Sequence, residues 1–158
     1  MRNFENMTTN DIERHLGCEL PLIYKVFLQR FGVNAVVSFD CDFGAINRSN
    51  WTFVGEDGLG EALNFGGIAG LKWWQILSHY WVDGSSGRKE KKSGYLFFLD
   101  KSSVDNKIAV AYDEGDILFV DALNEFRVGV YFHDSGEILE SDIFLEDVFS
   151  TMNIIYSA

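Results

Sequence analysis

Histidines are the side chains of this sequence best suited to acid–base chemistry, because imidazole changes its charge near neutral pH. His15, His79 and His133 stand far apart in the chain. His133 is the best candidate, since the carboxylate of Asp134 follows it directly and can orient the ring. The same two residues open the polar segment His133–Gly136, which more commonly forms a turn. Folding can bring a histidine beside a serine or an aspartate, but no enzyme motif marks such a site. We therefore expect a protein that is not an enzyme.

Clustered carboxylates offer a second kind of chemistry, the binding of a cation. Asp40 and Asp42 would share one face of a strand, where their like charges require a cation or an arginine nearby. The acidic run Asp113–Asp116 predicts a turn whose carboxylates are exposed. It lacks the spaced oxygen ligands of a calcium-binding EF-hand loop. The segment Gly58–Gly60 lacks the third glycine of a dinucleotide-binding motif, and the sequence contains no C-x-x-C. We therefore expect neither a metal nor a cofactor.

Length and composition predict one domain that spans residues 1–158, since 47% of the 158 residues are hydrophobic and 15% are aromatic. No run of about 18 apolar residues predicts a transmembrane helix. The first residues, MRNFENMTTND, lack the apolar centre of a signal peptide, and we expect a cytoplasmic protein. Cys18 and Cys41 are then expected to be buried thiols rather than a disulfide.

The negative charge is concentrated in the last third of the chain. Residues 1–112 hold 13 acidic and 12 basic side chains, whereas residues 113–158 hold 11 acidic side chains and only Arg127. The net charges of the two parts are therefore −1 and −10. A field of this sign repels nucleic acid and attracts a basic partner. Plain solubility explains the same charge equally well.

The segment Asn10–Gly32 predicts two helices that meet at a proline. Asn10 can cap the first helix with Glu13 reaching back to it, and Gly17 supplies the stop. Pro21 fits the first turn of the second helix, where its missing N–H costs nothing. The apolar face of the second helix comprises Leu20, Ile23, Tyr24, Phe27, Leu28 and Phe31.

The rest of the chain predicts mainly strands. Alternation is clearest at Phe126–Phe132, and strict alternation in Lys107–Tyr112 would place Ile108, Val110 and Tyr112 on one face. Ser141 or Asp142 would cap a final helix. The fold class expected is α+β, a twisted, mainly antiparallel sheet packed with two N-terminal helices and a C-terminal helix. Further strands are predicted at Ala35–Cys41, Trp51–Val54, Tyr95–Leu99 and Ile117–Asp121.

The middle of the chain carries an aromatic segment and a basic one. Ile68–Trp81 predicts either a helix or a buried pair of strands, because its apolar residues are too dense for periodicity to decide. Its tryptophans, at positions 73, 74 and 81, either line a groove or fill the core. Asp83–Gly94 predicts a mobile loop, and its basic residues are Arg88, Lys89, Lys91 and Lys92.

The N-terminal pattern E-x-x-L-G-x-x-L-P-x-x-Y-x-x-F-L resembles the start of the SUKH superfamily, the Smi/Knr-type domain. Its continuation, Phe31–Asn34, departs from the Asn-Gly-Gly frequent in that family. The pair Gly115-Asp116 and the acidic-aromatic helix Ile143–Phe149 extend the resemblance toward the C-terminus. The residues that match the N-terminal pattern are Glu13, Leu16, Gly17, Leu20, Pro21, Tyr24, Phe27 and Leu28.

The resemblance implies a function as well as a fold. Bacterial SUKH proteins are commonly immunity proteins that bind a cognate toxin, often a nuclease, and fungal relatives are regulatory scaffolds. We therefore expect a basic protein partner bound through acidic residues, with no role for nucleic acid or membrane. The alternative is a small-ligand-binding protein or an enzyme that uses the aromatic segment with His79 or His133. The residues expected to contact the partner are Asp113, Glu114 and Asp116, then Asp134 and Glu137.

Overall fold

A computed structural model describes residues 7–38, 50–63, 70–84, 89–92, 95–98, 104–134, 138–151 and 153–157. Within these ranges a large antiparallel sheet is covered by helices on both faces. No helix in this part of the chain has the length and apolar character to cross a membrane. The helices described are α1 (Met7–Leu16), α2 (Leu22–Arg30), α3 (Glu56–Leu59), α4 (Ile76–Gly84) and α5 (Leu145–Thr151).

The main sheet has seven strands in the order β8-β7-β6-β5-β2-β1-β9, and every neighbouring pair is antiparallel. A separate two-stranded sheet pairs β3 with β4. The predicted α+β fold with an antiparallel sheet is confirmed. The strands are β1 (Ala35–Ser38), β2 (Asn50–Phe53), β3 (Lys89–Lys92), β4 (Tyr95–Phe98), β5 (Lys107–Asp113), β6 (Asp116–Asp121), β7 (Arg127–Tyr131), β8 (Ile138–Phe144) and β9 (Asn153–Ser157).

Helix α1 already includes Met7, so Asn10 lies inside it and the predicted cap is wrong. Glu13 has another role, because its Oε2 accepts hydrogen bonds from the backbone N–H of Leu20 at 2.8 Å and from Lys25 Nζ at 2.9 Å. The predicted stop is confirmed, since Gly17 has a φ of 74° and its N–H donates to the carbonyl of Glu13. Glu13 therefore joins α1 to α2.

Helix α2 docks on the sheet through its predicted apolar face. Pro21 directly precedes the helix, and its carbonyl accepts from the backbone amides of the first turn. The Phe27 ring lies 5.6 Å from the ring of Phe53 in β2 and 5.0 Å from that of Phe149 in α5. Tyr24 and Leu28 are buried beside it. The burial of this face is thus confirmed.

The two faces of the sheet carry different helices because successive strand residues point in opposite directions. Leu118 and Val120 of β6 belong to the core with α1, α2 and α5. Ile117 and Phe119 belong to the core with Ile76 of α4. A 3₁₀ turn at Trp73–Gln75 leads into α4, so the helix alternative is the correct one for this segment.

Three further expectations about local structure were wrong. Lys89–Lys92 forms strand β3, whereas a loop was predicted there. Ser141 and Asp142 lie inside β8 and do not cap a helix; α5 starts at Leu145 instead. Cys18 is exposed, because it lies in the short connection after α1.

Strand β9, at the edge of the sheet beside β1, was not predicted. Asp40, Cys41 and Asp42 lie outside the described residues.

Candidate functional site

The hairpin turn between β5 and β6 forms where the acidic run predicted a turn. Asp113 pairs with Asp116, and the two residues between them have positive φ angles, 50° at Glu114 and 92° at Gly115. Two left-handed residues make a type I′ turn, whose twist matches that of the flanking strands. Glu114 is exposed and Asp113 is partly exposed. The turn therefore presents two carboxylates at one end of the sheet.

The end of β7 brings a second acidic turn to the same place. Ile117 pairs with Tyr131, so His133 and Asp134 arrive beside Asp116. Asp116 Oδ1 lies 2.7 Å from His133 Nδ1, and His133 Nε2 lies 3.0 Å from Asp134 Oδ1. We call this group the acidic turn cluster. Its members are Asp113, Glu114, Asp116, His133 and Asp134; Glu137 lies outside the described residues.

Asp116 is the member whose predicted exposure was wrong. Only 5% of its side chain is exposed, because it lies under His133 and also accepts the backbone N–H of that residue at 3.0 Å. A Cβ atom on Gly115 would lie 3.0 Å from the imidazole, so the ring packs directly on the turn. Asp116 thus supports the cluster, whereas Glu114 and Asp134 face solvent.

The imidazole ring of His133 lies between two carboxylates. Both ring nitrogens face a carboxylate, and an imidazolium ring can donate to both at once. A general base needs a nitrogen directed at the group that it deprotonates. The two carboxylates lie on opposite ring nitrogens and do not converge on one point. The described residues contain no group of three His, Cys, Asp or Glu side chains that could hold a metal ion.

Part of the negative charge of the last third lies inside the protein. Lys107 Nζ, whose side chain is 1% exposed, is 3.3 Å from Asp121 Oδ2 and 3.5 Å from Glu140 Oε1. Burial raises the pKa of the Asp121 carboxyl above its ordinary value, and the positive charge of Lys107 opposes that shift. The negative electrostatic field outside residues 113–158 is therefore weaker than their net charge of −10 suggests.

The aromatic segment contributes one wall of a separate groove of about 470 Å³. Trp73 and Tyr112 line the groove together with Asp57 and Glu61. Neither acidic residue was predicted to belong to a site. The only signal in the sequence is that two carboxylates stand four residues apart in a glycine-rich segment. Trp74 is buried, and the side chain of Trp81 lies outside the described part of the chain.

The three histidines lie at three different places, and none of them lines the groove. His79 is 1% exposed and belongs to the interior, and His133 belongs to the acidic turn cluster. His15 Nε2 lies 2.9 Å from the carbonyl of Asp105, and the His15 ring packs edge to face on buried Trp74 with centroids 5.2 Å apart. Of the described residues that line the groove, none is a histidine. The groove therefore does not support a ligand site that combines the aromatic segment with His79 or His133.

No protein-family model, curated protein or solved structure matches the chain. The resemblance to the SUKH superfamily consequently stays a prediction from the sequence.

Proposed function

We propose that this protein is a non-catalytic binding module that captures a basic protein partner through the acidic turn cluster. The observation that carries the proposal is the meeting of two acidic turns, Asp113–Asp116 and His133–Asp134, at one end of the sheet. Complementary charge steers two proteins together and raises the rate of their association.

The roles within the cluster differ with exposure. Glu114 and Asp134 are exposed, so their carboxylates are available to Lys and Arg side chains of a partner. Asp116 is buried and fixes His133, which in turn holds the two turns together. Phosphate groups of nucleic acids or anionic lipids would be repelled by the same carboxylates. A basic protein surface is the class of partner that this arrangement favours.

The resemblance to the SUKH superfamily narrows the proposal to an immunity protein. In this role the protein neutralises a cognate nuclease-type toxin in the cytoplasm of the producing cell. Nuclease active sites are basic because they bind phosphates, and clustered carboxylates can occupy them. The pattern from Glu13 to Leu28 supports this narrowing, together with Gly115-Asp116 at the turn of the cluster.

Co-expression with the product of the neighbouring gene tests the immunity proposal. A toxin encoded there should kill cells when expressed alone, and co-expression of this protein should restore growth. The two proteins should also co-purify. If the toxin is folded and active but is neither bound nor inhibited, the immunity proposal is wrong.

A further inference from the structure

We infer that the groove lined by Trp73, Tyr112, Asp57 and Glu61 is a pocket for an arginine side chain. This inference depends on the proposed function only for the source of the arginine, which is the basic partner. The volume of the groove, about 470 Å³, lies within the range of roughly 300–1,000 Å³ that is typical of ligand pockets. It is larger than one guanidinium group and admits the side chain with adjoining backbone.

Backbone hydrogen bonds fix the main chain at the residues that line the groove. The N–H of Trp73 donates to the carbonyl of Glu61 at 2.8 Å, and the N–H of Asp57 donates to the carbonyl of Gly32 at 3.3 Å. A Cβ atom on Gly55 would lie 2.4 Å from that Gly32 carbonyl oxygen, so the glycine permits α3 to pack this closely. The main chain of Asp57 and Glu61 is therefore fixed at the groove, while their exposed side chains are available to an occupant.

The two carboxylates are exposed, and their charge is not neutralised within the described part of the chain. Neither Asp57 nor Glu61 has an ion pair or a side-chain hydrogen bond with another described residue. Both carboxylates line the same groove, so a cation that enters the groove is attracted by two negative charges. The groove therefore favours a positively charged occupant.

The aromatic wall selects the kind of cation. The rings of Trp73 and Tyr112 meet edge to face, with centroids 6.2 Å apart and planes at 62°. Tyr112 is 36% exposed, although it lies in a central strand. A guanidinium group stacks on such rings and donates paired hydrogen bonds to carboxylates, whereas an ammonium group supplies only a point charge. Arginine matches both features of the groove better than lysine does.

The groove is separate from the acidic turn cluster but adjoins it. Tyr112 directly precedes Asp113 in β5, and consecutive strand side chains point to opposite faces. Different parts of one partner would thus contact the two sites. Substitutions can therefore alter either site without altering the other.

A titration followed by NMR tests the assignment with a blocked Gly-Arg-Gly peptide at low ionic strength. The amide signals of residues 33–34, 57–61, 73 and 112 should shift in a saturable way. The same peptide with citrulline, which is neutral and nearly isosteric with arginine, should bind about tenfold more weakly or not at all. Equal binding of the citrulline peptide would overturn the assignment of a cation pocket.

Two double variants separate the groove from the cluster. Asp57→Asn with Glu61→Gln should weaken binding of the arginine peptide about fivefold, since two exposed ion pairs are lost. Asp113→Asn with Glu114→Gln should leave it unchanged within about twofold. Shifts confined to residues 113–116, or a loss of binding only in the second variant, would overturn the assignment.

The peptide result is independent of the toxin experiment. A peptide that titrates the groove, together with a toxin that is not bound, would contradict the proposed function and support the pocket. A toxin bound through Asp113 and Glu114, together with a peptide that leaves the groove signals unmoved, would contradict the pocket alone.

Discussion

The carboxylate of Asp116 accepts hydrogen bonds from two nitrogen atoms of His133, the backbone N–H at 3.0 Å and Nδ1 at 2.7 Å. These bonds connect the first residue of β6 to the segment that follows β7. Asp116 and His133 are 17 residues apart in the sequence, and these bonds hold their two turns side by side on one surface. The contribution of this connection to the free energy of unfolding can therefore be measured by removing the Asp116 carboxylate.

Asp116→Ala should lower the free energy of unfolding by about 1.5–3 kcal/mol, because it removes a buried, charged hydrogen-bond acceptor. Asp134→Ala is the matched control, since Asp134 faces the other nitrogen of the same ring but is 90% exposed. It should change stability by no more than about 0.5 kcal/mol. Urea denaturation of both variants measures the difference. Equal losses would contradict the supporting role of Asp116.

Phe27→Ala should cost about 3–5 kcal/mol of stability, because the ring fills the core between α2, β2 and α5. Leu22→Ala in the same helix is the control, since Leu22 is 74% exposed and should lose about 0.5 kcal/mol or less. Thermal or urea unfolding of the two variants gives the comparison. A Phe27 variant as stable as the Leu22 variant would show that α2 does not dock in this way.

The Glu13–Lys25 pair predicts a change of stability at alkaline pH. The hydrogen bond to Glu13 raises the pKa of Lys25 above its ordinary value of 10.5. The folded state thus holds the lysine proton more tightly than the unfolded state does. The stabilising contribution is fully present below about pH 10.5 and is lost as pH rises through the raised pKa.

The difference in unfolding free energy between the wild type and Lys25→Met should accordingly be constant at neutral pH and shrink above about pH 10.5. Glu13→Gln should remove the same alkaline component, because it removes the negative charge that raises the pKa. Denaturant unfolding at a series of pH values provides the measurement. A difference that stays constant into the alkaline range would contradict the pair.

Local sequence patterns predicted the elements of this fold better than their contacts. The turn at Asp113–Asp116 and the burial of Phe27 follow from residues close in the chain, because glycine at a left-handed position and helical spacing are local signals. The pairing of Asp116 with His133 depends on the register of β6 against β7. No local signal determines that register, and the burial of Asp116 was therefore missed.

The groove was missed for a related reason. Strict alternation predicted Tyr112 on the face of Ile108 and Val110, but a bulge between Ala109 and Ala111 shifts the register of β5. Ala111 joins the buried core and Tyr112 turns to the other face. Asp57 and Glu61 line the same groove as Tyr112 because α3 and the residues after it pack there. The local sequence of this segment contains no signal that predicts this packing.

Charge reversal of the acidic turn cluster needs a control with the same change of net charge. Asp113→Lys with Glu114→Lys alters the cluster itself. Asp142→Lys with Glu146→Lys alters two exposed residues near the opposite end of the sheet, where Phe144 pairs with Arg127. The two variants differ in where the charge is reversed but not in how much.

The association rate constant for the toxin encoded by the neighbouring gene, measured against salt concentration, tests the central claim most directly. The wild-type rate should fall steeply as salt rises, because screening weakens the attraction between the cluster and a basic partner. The Asp113 and Glu114 reversal should slow association at low salt by about tenfold, and the Asp142 and Glu146 reversal by much less. Association that ignores salt, or that slows equally in both variants, would contradict binding through the acidic turn cluster.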